Sequence, residues 1–109
     1  MSYQPSQIVV STGAKQSIAN VCMVLLNPGD EVLLPAPYWV SYSAIATLAE
    51  AKSTIIPSSI DTDFKITPEQ LEAAITPQTK LIMFNSPNNP SGTIYTEDEY
   101  RALGEVLAK

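Results

Sequence analysis

Apolar residues follow two rhythms along this chain. Short runs alternate with stretches in which apolar side chains recur every three or four residues. Gln7-Ile8-Val9-Val10-Ser11 is a brief β-branched run and predicts a strand. From about Lys15 to Leu26 the spacing becomes helical, with Ile18, Val21, Cys22, Leu25 and Leu26 on one face. Asn27-Pro28-Gly29-Asp30 stops that helix, with Gly29 suited to a left-handed turn. Glu31-Val32-Leu33-Leu34 predicts a second strand, broken by Pro35-Ala36-Pro37. A helix from Trp39 to about Glu50 would turn Val40, Ala44, Ile45 and Leu48 inward. Ser53-Thr54-Ile55-Ile56 reads as a third strand, followed by a polar loop from Pro57 to Lys65.

The next helix start is the best marked. Thr67 is placed as N-cap, Pro68 sits at the first helical position, and Gln70 closes a capping box, with Ile66 and Leu71 as its hydrophobic staple. Leu71, Ala74 and Ile75 would face the core. Lys80-Leu81-Ile82-Met83-Phe84 is a fourth strand, almost wholly apolar, as expected of a strand covered on both faces. After the loop Asn85 to Gly92, Thr96 and Glu99 form a second capping box between Tyr95 and Tyr100, and the last helix carries Leu103, Val106 and Leu107. Strand and helix alternate throughout, which predicts an α/β domain with a largely parallel sheet. With no linker, repeat or low-complexity tract, and with ends cut close to a strand and a helix, the chain reads as an excised segment.

Composition narrows the function classes. A net charge of −5, with six scattered Lys and Arg residues, argues against a nucleic-acid partner. One cysteine, Cys22, leaves no disulfide within the chain, and the absence of histidine excludes a Ser-His-Asp triad within it and makes a zinc site of the usual ligands a poor fit. No apolar run has the length of a membrane span, and the first residues carry no leader pattern, so a cytoplasmic protein is expected.

Ligands of open α/β sheets bind beyond the carboxyl ends of the strands, and three loops there carry unusual chemistry. Ser11-Thr12-Gly13-Ala14-Lys15-Gln16 is a glycine turn feeding a helix N-terminus. It offers free N–H groups and a lysine to an anion, or it is an ordinary strand-to-helix turn. In Pro35-Ala36-Pro37-Tyr38-Trp39-Val40-Ser41-Tyr42, Trp39 either stacks on a flat ring or packs the first helical turn together with Tyr42, whereas Tyr38 reads as structural. In Asn85 to Gly92, X-Pro steps restrict the backbone and Asn89 offers a donor and an acceptor; the other reading is a plain turn.

Together, Ser-Thr-Gly-Ala-Lys-Gln at 11–16, the run from Asn27 through Pro35-Ala36-Pro37-Tyr38-Trp39 to Tyr42, and Asn-Ser-Pro-Asn-Asn-Pro-Ser-Gly at 85–92 resemble the fold-type I, pyridoxal-phosphate (PLP) dependent class I aminotransferases of the aspartate aminotransferase kind. The resemblance covers nearly the whole chain in order. It implies a three-layer α/β/α major domain with a mostly parallel sheet, of which residues 1–109 are only part, in a homodimer. It implies pyridoxal 5'-phosphate held at its phosphate by the backbone of Ala14 and Lys15, stacked by Trp39, and bonded at its ring hydroxyl by Asn89. Trp39 and Asn89 would also meet the substrate, an amino acid (aspartate first) or a 2-oxo acid. The Ala36–Pro37 and Asn89–Pro90 peptides match positions that are often cis in the family.

The same resemblance says what this chain lacks. The lysine that carries the cofactor, the acid at the ring nitrogen, the tyrosine on the ring hydroxyl and the arginine that clamps the substrate carboxylate all follow the third loop in the family. The chain therefore contributes no catalytic residue, is expected to be inactive alone and should not hold PLP covalently. By the family's strand order, the second, third and fourth strands are neighbours and the first lies apart. Val9 and Val10 should then lose their native place, and the chain should swap strands, self-associate or repack. Related PLP enzymes, a C–S lyase or an aminocyclopropane-carboxylate synthase, share the ring-binding motifs and stand as alternatives. Two others are a nucleotide-binding α/β module, which lacks the expected glycine pattern, and a non-catalytic folding or interaction module.

Overall fold

The computed structural model describes residues 2–109 and has helices on both faces of a three-stranded parallel sheet. The strands are β1 (Glu31–Pro35), β2 (Lys52–Ile56) and β3 (Thr79–Ile82), in the order β2-β1-β3. The helices are α1 (Ala14–Leu25), α2 (Ser41–Leu48), α3 (Pro68–Ala74) and α4 (Glu97–Leu107). Side chains alternate faces along a strand, and β1 divides the core accordingly. Val32 and Leu34 pack with Cys22, Leu26, Tyr42 and Ile45 on the α1–α2 side. Leu33 packs with Leu71, Leu103 and Val106 on the α3–α4 side. The result is the three-layer α/β/α arrangement, present in part. Val32, Leu33 and Leu34 are all fully buried, each contributing roughly 1.5–3 kcal/mol by removal from water.

Local chemistry ends the elements where the sequence marks them. The turn after α1 is held by the Asn27 N–H donating to Asp30 Oδ2 at 2.8 Å, with Gly29 at φ 92°. Both capping boxes form. Thr67 Oγ1 accepts from the Gln70 N–H while Gln70 Oε1 accepts from the Thr67 N–H at 2.9 Å. Thr96 and Glu99 repeat the pattern at α4. Lys65 reaches across from the loop before α3 to both oxygens of Glu99, at 3.0 and 3.1 Å. The Ile66 N–H donates to the Tyr95 hydroxyl at 2.9 Å. These two ties fix α3 against α4.

Three expectations need correction. The strand at Gln7–Ser11 does not form. Pro5–Gln7 make a 3-10 turn, and Ile8, Val9 and Val10 follow without a strand partner, 57%, 83% and 92% exposed. β-branched residues favour an extended backbone, but a strand also needs a neighbour to accept its hydrogen bonds. The inward helix faces also differ. Val21 and Leu25 of α1 are 45% and 54% exposed, because this helix is apolar around much of its circumference and the small sheet covers only one stripe of it. In α2 the buried stripe is Tyr42, Ile45, Ala46 and Ala49, while Val40, Ala44 and Leu48 face outward. Two apolar stripes share that helix, and the one carrying the aromatic ring turns in. Finally, β3 is shorter than expected and lies at a sheet edge, with Leu81 and Ile82 only half-buried. The outer residue of the last helix, Leu107, and Ile75 after α3 are likewise exposed. They border an open groove of about 500 Å³ beside β3, between α3 and α4.

A buried carboxylate closes the amino end of the sheet. Glu31 opens β1 at 4% exposure. It accepts hydrogen bonds from Thr54 of β2 at 2.6 Å, from Thr79 of β3 at 2.6 Å and from Thr76 in the preceding turn at 3.0 Å. Lys52 stands 3.9 Å away. A one-residue register shift between Glu31 and Val32 pairs Glu31 with Thr79 and Val32 with Leu81. The hydroxyl of Thr54, then that of Thr79, holds the Glu31 carboxyl below its ordinary pKa, against the opposing effect of burial. A carboxylate whose pKa is lower in the folded state stabilises fully above the unfolded value, about 4.3, and loses that contribution as pH falls through the folded value. Replacing Glu31 with Ala should cost about 2–3 kcal/mol in urea denaturation at neutral pH, the worth of hydrogen bonds to a charged group. Glu31→Gln should cost less and flatten the loss of stability below about pH 4.

Candidate functional site

The carboxyl ends of parallel strands all point to one rim, and three loops converge there. The first leads into α1. Gly13 has φ 88° and ψ 160°, a region open essentially to glycine alone. That backbone turns the chain so that Ala14 and Lys15 begin the helix with no side chain capping their N–H groups. First-turn N–H groups have no intrahelical acceptor. The loop is braced instead from its flanks. The Thr12 N–H donates to Gln16 Oε1 at 2.6 Å, and the Ser11 and Ser17 hydroxyls meet at 2.5 Å.

The second loop leaves β1. Its Ala36–Pro37 peptide is cis, and the main chain of Ala36 is tied sideways at both its N–H and its carbonyl. The Ala36 N–H donates to the Ile56 carbonyl at 2.9 Å, and the Ser58 hydroxyl donates to the Ala36 carbonyl. Trp39 is half-buried and meets Tyr42 edge-on, with ring centroids 5.6 Å apart at 84°. Tyr38 packs against the α1–α2 side of the core, in keeping with a structural role. Burial pushes the Tyr42 phenol pKa up. The Lys15 ammonium lies 5.0 Å from the Trp39 ring centroid, within the range at which the ring face attracts a cation. The first and second loops therefore touch through the residues singled out in the sequence.

The third loop leaves β3. The Ser86–Pro87 and Asn89–Pro90 peptides are cis. Asn89 is exposed, and its N–H approaches Asn85 Oδ1 at 3.5 Å. Its neighbour Asn88 is buried and donates from Nδ2 to the Pro37 carbonyl at 3.2 Å, joining the third loop to the second. Lys15 and Trp39 are thus in direct contact, Ala14 adjoins them along the chain, and Asn89 is brought to the same rim through Asn88. Sequence reasoning missed Asn88, since two adjacent asparagines differ only in which one the fold buries. It also missed Gln16, although an amide four residues after Thr12 is spaced to cap it.

This arrangement suits a phosphorylated aromatic ring. Uncapped helix N–H groups and an ammonium favour an anion. An indole beside them offers a flat apolar face, and an exposed carboxamide offers both a donor and an acceptor. Among the described residues no group of acidic, cysteine or histidine side chains is arranged to hold a metal ion, and no helix is long and apolar enough to cross a membrane.

Comparison with known proteins identifies the family. The sequence model of the family "Aminotransferase class I and II" matches residues 1–109. The chain belongs to that family. Among curated aminotransferases, the aspartate/prephenate aminotransferase of Nitrosomonas europaea is 50% identical over the whole chain, which spans 28% of that protein. That of Cereibacter sphaeroides is 52% identical, again over the whole chain and 27% of its own length. The crystal structure of the aspartate aminotransferase from Rhizobium meliloti superposes with a TM-score of 0.94 at 48% identity, covering 98% of this chain and 27% of that one. The chain therefore corresponds to little more than a quarter of each of these aminotransferases.

Within this chain the Gly13 turn can be tested directly. A Cβ added there meets nothing within 4 Å, so any penalty comes from backbone strain and not from a clash. Gly13→Ala should lower stability by about 1–3 kcal/mol, read as a shift in the urea midpoint. If the midpoint stays unchanged, position 13 does not hold this conformation.

Proposed function

We propose that residues 1–109 are part of the PLP-binding large domain of a PLP-dependent aminotransferase. In this reading the parent enzyme moves an amino group between an L-amino acid, aspartate first, and a 2-oxo acid, working as a cytoplasmic homodimer. The names of the two curated relatives add prephenate to the acceptors worth testing. The observation that carries the reading is the meeting of three elements on one rim: the uncapped start of α1, the Trp39 indole 5.0 Å from Lys15, and a third loop tied to the second at Pro37.

The residues present fit the cofactor. The N–H groups of Ala14 and Lys15 would hold its phosphate, with the helix dipole favouring the negative charge. Trp39 would lie against its ring and keep water from that face. Asn89 would donate to the ring hydroxyl and meet the substrate carboxylate from the same carboxamide. When bound, PLP supplies the electron sink that amino-group transfer requires. This chain's share is binding and orientation, and none of its residues is assigned a catalytic role. The 109-residue chain alone should therefore turn over no substrate, and its open β3 edge and exposed Val9 and Val10 favour strand exchange or self-association.

In the full-length protein, added PLP should produce a visible absorbance band, and amino transfer from aspartate to a 2-oxo acid should follow. Trp39→Ala should weaken PLP binding roughly 3- to 10-fold, the worth of an aromatic stacking contact. A full-length protein that neither takes up PLP nor transfers an amino group would overturn the assignment.

A further inference from the structure

We propose that Asn88 is a positioning residue that sets the distance between the Trp39 loop and the Asn89 loop. The inference rests on the cofactor reading above and extends it to a residue that would touch neither cofactor nor substrate. Asn88 is 9% exposed, and its carboxamide is almost fully engaged. Oδ1 accepts from the Ser91 N–H at 3.0 Å and from the Ser91 hydroxyl at 2.8 Å. Nδ2 donates to the Pro37 carbonyl at 3.2 Å. The main chain of Asn88 is fixed as well, donating to the Thr93 carbonyl and accepting from the Gly92 N–H, both at 2.8 Å.

These bonds divide into two jobs. The Ser91, Gly92 and Thr93 contacts shape the turn from within. The Pro37 contact is the one that reaches a different loop, 51 residues away in sequence. Pro37 stands two residues before Trp39, and Asn88 stands next to Asn89. One amide hydrogen bond therefore holds the ring-stacking face and the hydroxyl-binding carboxamide in register. Asn89 itself is exposed and has no comparable anchor in its own side chain. Its aim depends on the neighbour that is buried.

Three variants of the full-length enzyme separate the two jobs. Asn88→Asp keeps an acceptor for Ser91 but replaces the donor with an oxygen facing the Pro37 carbonyl. Asn88→His restores an N–H the same number of bonds from the backbone. Ser91→Ala alters the turn and leaves the Pro37 bond in place. The readouts are the visible circular dichroism of bound PLP, which reports its orientation, and KM for the amino acid against kcat. Asn88→Asp should change the dichroism and raise KM about 3- to 10-fold, the loss of one hydrogen bond, with a smaller change in kcat. Asn88→His should move both back toward wild type, and Ser91→Ala should leave the dichroism unaltered. Asn88→Ser, which has no donor long enough to reach Pro37, gives the same reading should the aspartate variant fail to fold. Wild-type dichroism and KM in Asn88→Asp, or equal effects from Asn88→Asp and Ser91→Ala, would overturn the clamp while leaving the cofactor assignment intact. A wild-type enzyme that binds no PLP would instead remove the assignment on which the clamp rests.

Discussion

Strand β1 has neither a free edge nor a free face. Its main chain pairs in parallel with β2 on one side and β3 on the other, while Val32 and Leu34 enter one core and Leu33 the other. Such a strand cannot slip by one residue without exchanging every side chain between the two cores. Glu31 adds a polar lock at its amino end, because a carboxylate taken out of water must find donors, and these come from two distant segments, Thr54 of β2 and the Thr76–Thr79 turn that opens β3. Apolar burial makes the sheet favourable, and the Glu31 contacts select its register.

That register decides where the candidate site lies. Parallel strands fixed at their amino ends deliver their carboxyl ends to a common rim, so the loops after β1 and β3 must emerge side by side. The chain uses this twice. Pro37 receives the Asn88 amide across the gap between those loops, and Trp39, two residues on, receives the Lys15 ammonium from the start of α1. The Glu31 carboxylate, held by three threonine hydroxyls, sits at the opposite end of β1 from the loop that carries Trp39. A groove of about 500 Å³ lies away from the rim, beside β3, and is lined largely by apolar residues such as Leu33, Ile75 and Val106.

The sequence was most legible where a feature is local. Thr67 with Gln70 and Thr96 with Glu99 form their boxes because every partner lies within three residues. The strands at 31–35 and 52–56 follow from short apolar runs bounded by breakers, and the motifs at 35–42 and 85–92 lie in the loops after β1 and β3, while the motif at 11–16 leads into α1 with no strand before it. Contacts between distant segments were not legible. Nothing in an isolated string tells which asparagine of Asn88-Asn89 will be buried, or that Thr54, Thr76 and Thr79 will converge on Glu31 from 23, 45 and 48 residues away. Helix faces failed for a related reason. Where apolar residues occur on more than one side, as in α1 and α2, periodicity offers several inward directions and the neighbouring sheet chooses among them.

The segment before α1 shows the same limit from the other side. Ile8-Val9-Val10 has strand composition, and Ile8 has extended dihedrals of −106° and 130°, yet no strand is present. Propensity specifies the shape of one backbone, whereas a strand is a relation between two. The unpaired β3 edge and the outward Val21, Val24 and Leu25 of α1 make the same point about surfaces. A helix apolar on several sides is stable when several neighbours cover it, and the related aminotransferases are more than three times as long as this chain. Residues 8–10, the outer side of α1 and the β3 edge are thus apolar surfaces without a covering neighbour among the described residues, whereas Lys15 and Trp39 of the candidate rim already meet within this chain.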